Sequence, residues 1–90
     1  MRLNALASLH WRCWSGEWAV FDVGSGQTHQ MDTLTAATLM VLEAGAVNFS
    51  DLASQIADEL LLPNDGEMVA ALNDKLNQLH AIGLIELTEP

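Results

Sequence analysis

The sequence has few of the residues on which most functional classes of protein depend. Its 90 residues include one cysteine, Cys13, and only three Lys or Arg residues. A single cysteine excludes an internal disulfide and a cysteine-based zinc cage, and it favours a reducing, cytoplasmic location. No stretch approaches the roughly 20 apolar residues of a membrane span, and residues 1–9 lack the cleavage region of a secretory signal. We therefore expect no membrane partner.

The shortage of cations also argues against nucleic acid as a partner. Twelve Asp or Glu residues give a formal net charge of -9, and no Lys or Arg occurs in residues 13–74. Non-specific affinity for nucleic acid comes from Lys and Arg that neutralise phosphates. The third predicted helix carries Glu67 and Asp74 around its single cation, Lys75, which is a poor recognition helix for a DNA regulator. The acidic surface either solubilises the chain or binds a basic partner.

No catalytic or metal-binding constellation is present. The histidines His10, His29 and His80 are far apart in the sequence. The Gly24-Ser25-Gly26 segment has neither the spacing of a nucleophile elbow nor that of a phosphate loop. We expect no enzyme activity, no cofactor and no metal, and we expect Cys13 to be a small apolar side chain packed in a sheet.

The first third of the chain has the pattern of an antiparallel meander. Strands are predicted at Leu9–Trp14 and Glu17–Val23 around a Ser15-Gly16 turn, followed by a third strand at Gln27–Met31. Because Trp11 and Trp14 differ in parity along the first strand, at least one of them is expected to face outward.

The period then changes to that of helices. The first, Thr33–Ala44, has Asp32 as its N-cap and ends at Gly45; the second, Asp51–Leu61, is expected to be capped by Ser50. The third runs from about Glu67 to Ala81, with either an Asn64/Glu67 capping box or Asp65 as its N-cap, and its predicted core face consists of Val69, Leu72, Leu76 and Leu79.

A short strand is predicted at residues 83–87. Since half of the residues are hydrophobic, the chain can build one core, and we expect a single domain over residues 1–90. The predicted class is α+β and winged-helix-like: a three-stranded antiparallel meander, three helices and a short terminal strand. In a DNA-binding winged helix the wing hairpin follows the third helix, whereas here the predicted hairpin precedes the first helix.

Several segments together resemble the PqqD family, and they look closest to the branch described as HPr-rel-A system peptide chaperones, which is associated with an HPr-kinase-related protein. The resemblance spans nearly the whole chain and is carried by Leu9-His10-Trp11-Arg12, by Gly16–Asp22, by Ser25-Gly26-Gln27-Thr28-His29 and by Leu79–Ile85.

This resemblance implies a RiPP recognition element, a domain that binds the leader of a ribosomally made precursor peptide as a strand beside its third strand and against its third helix. On this chain the third strand supplies Gln27, Thr28, His29, Gln30 and Met31. The favoured flank of the third helix supplies Met68, Ala71, Lys75 and Gln78, and the other flank consists of Asn73, Asn77 and His80.

The first functional hypothesis is a non-catalytic peptide chaperone that presents a captured segment to a modifying enzyme. The alternative is an adaptor that docks onto a folded kinase-like or transferase partner without a leader peptide, through an outward tryptophan or an apolar patch of the first helix. A domain-swapped homodimer is a further expectation, since an N-terminal hairpin can detach and exchange.

Overall fold

The computed structural model describes residues 1–87; residues 88–90, the last three of the expected 1–90 domain, lie outside the described residues. The predicted α+β order of a three-stranded antiparallel sheet, three helices and a short terminal strand is confirmed. The elements are β1 (Arg2–Leu3), β2 (Leu9–Trp14), β3 (Glu17–Asp22), β4 (Gln27–Met31), α1 (Thr33–Ala44), α2 (Phe49–Leu60), α3 (Gly66–Ala81) and β5 (Ile85–Glu86).

Strands β2, β3 and β4 form an antiparallel sheet in that order. The turn between β2 and β3 has two residues, Ser15 and Gly16, with φ of 53° and 75°. Two consecutive positive φ values belong to the type I′ turn, whose twist matches that of the strands it joins. This turn sets the register of β2 on β3 and pairs Trp14 with Glu17.

A second, two-stranded sheet joins the two ends of the described chain. Strand β1 pairs antiparallel with β5, which places Arg2 opposite Glu86 and Leu3 opposite Ile85. Next to it, the side-chain amide of Asn4 donates to the Gly83 carbonyl oxygen at 2.8 Å. The sequence pattern did not predict β1, because two residues show no period and their partner lies more than 80 positions away.

The helix N-caps agree with the prediction at α1 and differ at α2. Asp32 caps α1, as predicted, by accepting from the backbone N–H of Thr35 at 2.8 Å. The prediction of Ser50 as the cap of α2 is wrong: Asn48 accepts from the backbone N–H of Asp51 at 2.8 Å, and Ser50 lies inside the first turn. At α3 the cap is Asp65, the second of the two candidates, because its side chain accepts from the Met68 N–H at 3.0 Å.

The core lies between the helices and one face of the sheet. Helix α1 is buried along most of its length, and Val20 of β3 is fully buried beneath it. On α3 three of the four predicted core residues are buried, but Met68, which is 6% exposed, takes the place of Val69, which is only half-buried. The buried α3 side chains are Met68, Leu72, Leu76 and Leu79.

Two expectations about exposed side chains have different outcomes. Cys13 is exposed, so the expectation of a packed thiol is wrong; it lies near the turn end of β2, beyond the helices that cover the centre of the sheet. Trp14 faces outward, as the parity of the two tryptophans allowed, whereas Trp11 is half-buried and packs edge-on against Trp18 with 6.1 Å between ring centroids.

Within residues 1–87, no helix has the length and apolar character needed to cross a membrane. The same residues contain no group of three His, Cys, Asp or Glu side chains arranged to hold a metal ion.

Candidate functional site

Strand β4 has a free edge among the described residues. It is the last strand of the β2-β3-β4 sheet and pairs only with β3. An unpaired strand edge presents backbone N–H and C=O groups that can bond to another extended chain. Which residues present them follows from the register of the sheet.

The hairpin turn determines this register. In a two-residue hairpin the closing pair, here Trp14 and Glu17, is hydrogen-bonded, and hydrogen-bonded pairs alternate with non-hydrogen-bonded pairs along an antiparallel ladder. The Val23 N–H donates to the Ser8 carbonyl oxygen at 2.9 Å, six residues further along, which agrees with the alternation. Residues 17, 19 and 21 of β3 therefore bond to β2, and residues 18, 20 and 22 bond to β4.

The alternation carries over to β4. The residues of β4 that bond to β3 are those opposite Trp18, Val20 and Asp22. They are Met31, His29 and Gln27, respectively. Thr28 and Gln30 are left with their backbone N–H and C=O groups directed to the free edge. Strand β4 thus offers two donors and two acceptors to an incoming strand.

A groove of about 670 Å³ lies beside this edge, between β4 and α3. Its bulky apolar side chains are the half-buried Met31, the buried Leu79 and the exposed Ile82. The complete lining is Thr28, His29, Gln30, Met31, Asp32, Thr35, Lys75, Gln78, Leu79, Ala81 and Ile82.

Six of the nine predicted site residues line this groove, and three do not. The six are Thr28, His29, Gln30, Met31, Lys75 and Gln78. Gln27 lies at the start of β4 and is not part of the lining. Met68 and Ala71 lie at the other end of α3, beside a separate cavity of about 260 Å³ that Leu34, Leu62 and Pro63 also line. No residue of the alternative flank, Asn73, Asn77 or His80, lines the groove.

Met68 does not lie on an exposed flank, so that part of the prediction is wrong. Its side chain is in the hydrophobic core with Leu72 and Leu76. The physical reason is helical spacing: Met68 precedes Leu72 by four residues and Leu76 by eight, so it shares their core face, and of the predicted core set only Val69 is displaced.

Lys75 is already paired within the chain. Its Nζ lies 3.0 Å from Oδ2 of Asp32, and this ion pair ties α3 to the junction of β4 and α1. Partial burial acts against the charge of Asp32, but hydrogen bonds from Thr35 and the ammonium of Lys75 outweigh it and lower the pKa of Asp32 below its usual value. At neutral pH this part of the groove therefore has no net charge.

Gln78 is also held within the chain, since its side-chain Nε2 donates to Asp74 Oδ2 one turn earlier at 3.1 Å.

The sequence prediction missed several lining residues, namely Asp32, Thr35, Leu79, Ala81 and Ile82. For Ile82 a local signal existed: a bulky apolar residue directly before Gly83 at the end of a helix extends the apolar face of that helix.

Comparison with known proteins gives one solved structure with the same architecture. No family model matches the chain, and no curated protein matches it. The structure of TbiB1 in complex with the TbiA(beta) leader peptide has a TM-score of 0.71 to this chain and is 17% identical in sequence, and the match covers 100% of both chains. Over its whole length, this chain therefore shares the fold of TbiB1.

Proposed function

We propose that this chain is a non-catalytic binding module that captures a peptide segment as an added strand along β4, against α3, and presents it to a modifying enzyme. The observation that carries the proposal is the position of the groove directly beside the free backbone groups of Thr28 and Gln30. Strand addition uses main-chain hydrogen bonds for affinity and side-chain pockets for selection, and this site provides both.

The groove explains why β4 is favoured over β2, the other edge of the sheet. Successive side chains of an added strand point to opposite faces. Beside β4, one set would enter the groove and contact Met31, Leu79 and Ile82. Because Lys75 is neutralised by Asp32, we expect these inward positions of the peptide to be apolar rather than acidic.

The similarity to TbiB1 supports a peptide as the ligand, since that protein was solved with a leader peptide bound. We propose that the segment is the leader of a ribosomally made precursor, as the resemblance to RiPP recognition elements implies, and that the chain acts without a cofactor in the cytoplasm.

The first test is capture from a lysate of the source cell on the immobilised chain, beside three variants. Gln30→Pro removes an edge donor without breaking the ladder to β3. Gln30→Ala changes the side chain and keeps the donor. Cys13→Pro is the control for the proline itself. It places a proline on the free edge of β2, where the backbone N–H of Cys13 likewise points away from β3. A peptide lost with Gln30→Pro alone supports the proposal, whereas a peptide retained by Gln30→Pro contradicts it.

The second test locates the contact by amide hydrogen exchange with the captured peptide, synthesised and added in excess. Strand addition should slow exchange at the N–H groups of Thr28 and Gln30. The N–H groups of His29 and Met31, which already bond to β3, should change little. Equal protection of all four amides, or none, would contradict an added strand at this edge.

The alternative is an adaptor that binds a folded kinase-like or transferase partner, such as an HPr-kinase-related protein, without a peptide. One observation favours it: Trp14 is 52% exposed, and exposed tryptophans are common anchors of protein interfaces. A stoichiometric folded partner that all three variants retain would support this alternative.

A further inference from the structure

The sheet has a second exposed surface, on the side away from the helices. This outer face carries the side chains of residues 10, 12 and 14 of β2, 17, 19 and 21 of β3, and 28 and 30 of β4, with Val23 at its end. Three bulky apolar side chains there are exposed: Trp14 by 52%, Phe21 by 40% and Val23 by 52%. Single exposed apolar residues are ordinary, but several on one face mark an interaction surface.

The outer face is concave rather than flat. A cavity of about 560 Å³ is lined by His10, Arg12, Trp14, Ala19, Phe21, Val23 and Thr28. Ala19 lies in the middle of this set, opposite Arg12 in the register, and is buried. A small residue surrounded by large ones leaves room for one inserted side chain.

The outer face carries a cation, Arg12, that has no ion-pair partner among the described residues. Within residues 1–87, ion pairs join Arg2 to Glu86 and Lys75 to Asp32, whereas Arg12 has no such partner and is exposed. His10 lines the same cavity. Among the strand positions of this face, the one carboxylate belongs to Glu17, at the turn. On a chain with a net charge of -9, this is where an acidic partner meets a fixed positive charge.

We propose that the outer face is a docking surface for a partner protein segment that inserts an aromatic or aliphatic side chain over Ala19 and places a carboxylate against Arg12. The apolar rim of Trp14, Phe21 and Val23 would contribute the buried area, and Arg12 would select for the acidic neighbour. An unpaired guanidinium is well suited to this role because it binds carboxylates through two parallel hydrogen bonds.

A second copy of this chain fits the surface less well. Strands of this length and spacing give a face only about 20 Å long and 10–15 Å wide, which is small for a stable interface that buries roughly 800 Å² of accessible surface on each partner. Two copies would also bring their Arg12 side chains and their negative net charges together. A short acidic segment requires less area and is attracted rather than repelled.

The outer face and the groove beside β4 meet at Thr28. This residue lines both cavities, and its main chain is directed to the free edge. A peptide beside β4 and a partner on the outer face would therefore be neighbours on the same sheet. Because the side chain of Gln30 lies beside Ala19 on the outer face, a substitution at Gln30 would alter this surface as well as the edge, so the outer face is tested with variants that leave β4 unchanged.

The test uses a displayed library of random 12-residue peptides, panned on the wild-type chain, and circular dichroism first shows that the variants compared with it fold. We expect enriched sequences to carry Asp or Glu within two residues of an aromatic residue or leucine. The Kd of the best synthetic peptide should rise at least tenfold with Ala19→Leu, which fills the cavity, and several-fold with Arg12→Gln. Leu61→Ala, which truncates an exposed apolar side chain outside this face, should leave the Kd unchanged.

A second measurement separates the outer face from the strand edge. The selected peptide is followed by NMR at the Trp14 indole N–H and at the amides of residues 28–31. A shift at Trp14 that Ala19→Leu abolishes supports the docking surface. Sequences without acidic residues, binding indifferent to both Ala19→Leu and Arg12→Gln, or shifts confined to residues 28–31 would overturn it.

Discussion

The carboxylate of Asp22 accepts a hydrogen bond from the backbone N–H of Ser8 at 3.0 Å. The same oxygen, Oδ1, also accepts from the Gly24 N–H at 3.0 Å, so one buried side chain holds together the entry to β2 and the turn before β4. This turn fixes where β4 begins, and through β4 it positions the edge that we propose as the peptide site.

Replacing Asp22 should therefore destabilise the sheet. In Asp22→Ala two part-buried backbone N–H groups lose a charged acceptor, and a hydrogen bond to a charged group contributes about 1.5–3 kcal/mol. We expect a loss of that size in the free energy of unfolding, measured by urea denaturation. The control is Asp58→Ala, at an exposed position of α2, which should stay within about 0.5 kcal/mol of the wild type.

Acid should weaken the fold through Asp22 and Asp32. The hydrogen bond from Ser8 lowers the pKa of Asp22 despite its burial, and the pKa of Asp32 is lowered as well. A carboxyl group whose pKa falls below its unfolded value of 3.8 on folding stabilises the protein above that pH. The stabilisation is lost as pH falls through the folded pKa.

The free energy of unfolding should thus be steady near neutral pH and fall below about pH 4. Asp22→Asn should reduce this fall, and urea denaturation at pH 7, 4 and 3 measures it. Asp58→Asn controls for the loss of one negative charge. A wild-type protein that was more stable at pH 3 than at pH 7 would contradict the assignment.

The sequence was sufficient for the order of the elements from β2 onward because each of these elements carries its own local signal. Ser15-Gly16 specified the hairpin, and Asp32 specified the start of α1, through interactions within a few residues. What it missed depends on distant partners: β1 forms only because β5 is present, and Lys75 looked like a free cation until the fold brought it to Asp32. Likewise, Met68 and Val69 are adjacent apolar residues, and only the packing of α3 decides which one faces the core.

The backbone conformation at Leu61 is unfavourable for a residue that carries a side chain. It follows α2 in the left-handed conformation, with φ 54° and ψ 42°, and its side chain is 90% exposed. Glycine adopts this conformation without a steric penalty. We expect Leu61→Gly to raise the free energy of unfolding by up to about 1 kcal/mol, and Leu61→Asn to raise it less. Thermal or urea unfolding tests this, and a loss of stability would show that Leu61 packs against something in solution.

Gly24 should tolerate no side chain. A Cβ at this position would collide with the backbone carbonyl oxygen of Leu6, and neither backbone segment can move without disturbing the hydrogen bonds of Asp22. We expect Gly24→Ala to cost roughly 1–3 kcal/mol, as overpacking usually does. Gly45→Ala is the matched control, since a Cβ there meets open space, and it should have the smaller effect.

Ile82 offers a test of the groove that leaves the backbone of β4 unchanged. Its side chain is exposed in the free chain and lines the groove next to Leu79, so an inward side chain of the bound peptide should cover it. Truncation in Ile82→Ala removes apolar area worth about 1 kcal/mol, which corresponds to a roughly fivefold rise in the Kd of the captured peptide. Isothermal titration with Ile82→Ala, Ile82→Val and the exposed control Leu62→Ala measures it, with Ile82→Val close to the wild type. If Ile82→Ala binds the peptide as tightly as the wild type does, the peptide does not enter the groove, even if Gln30→Pro abolishes binding at the strand edge.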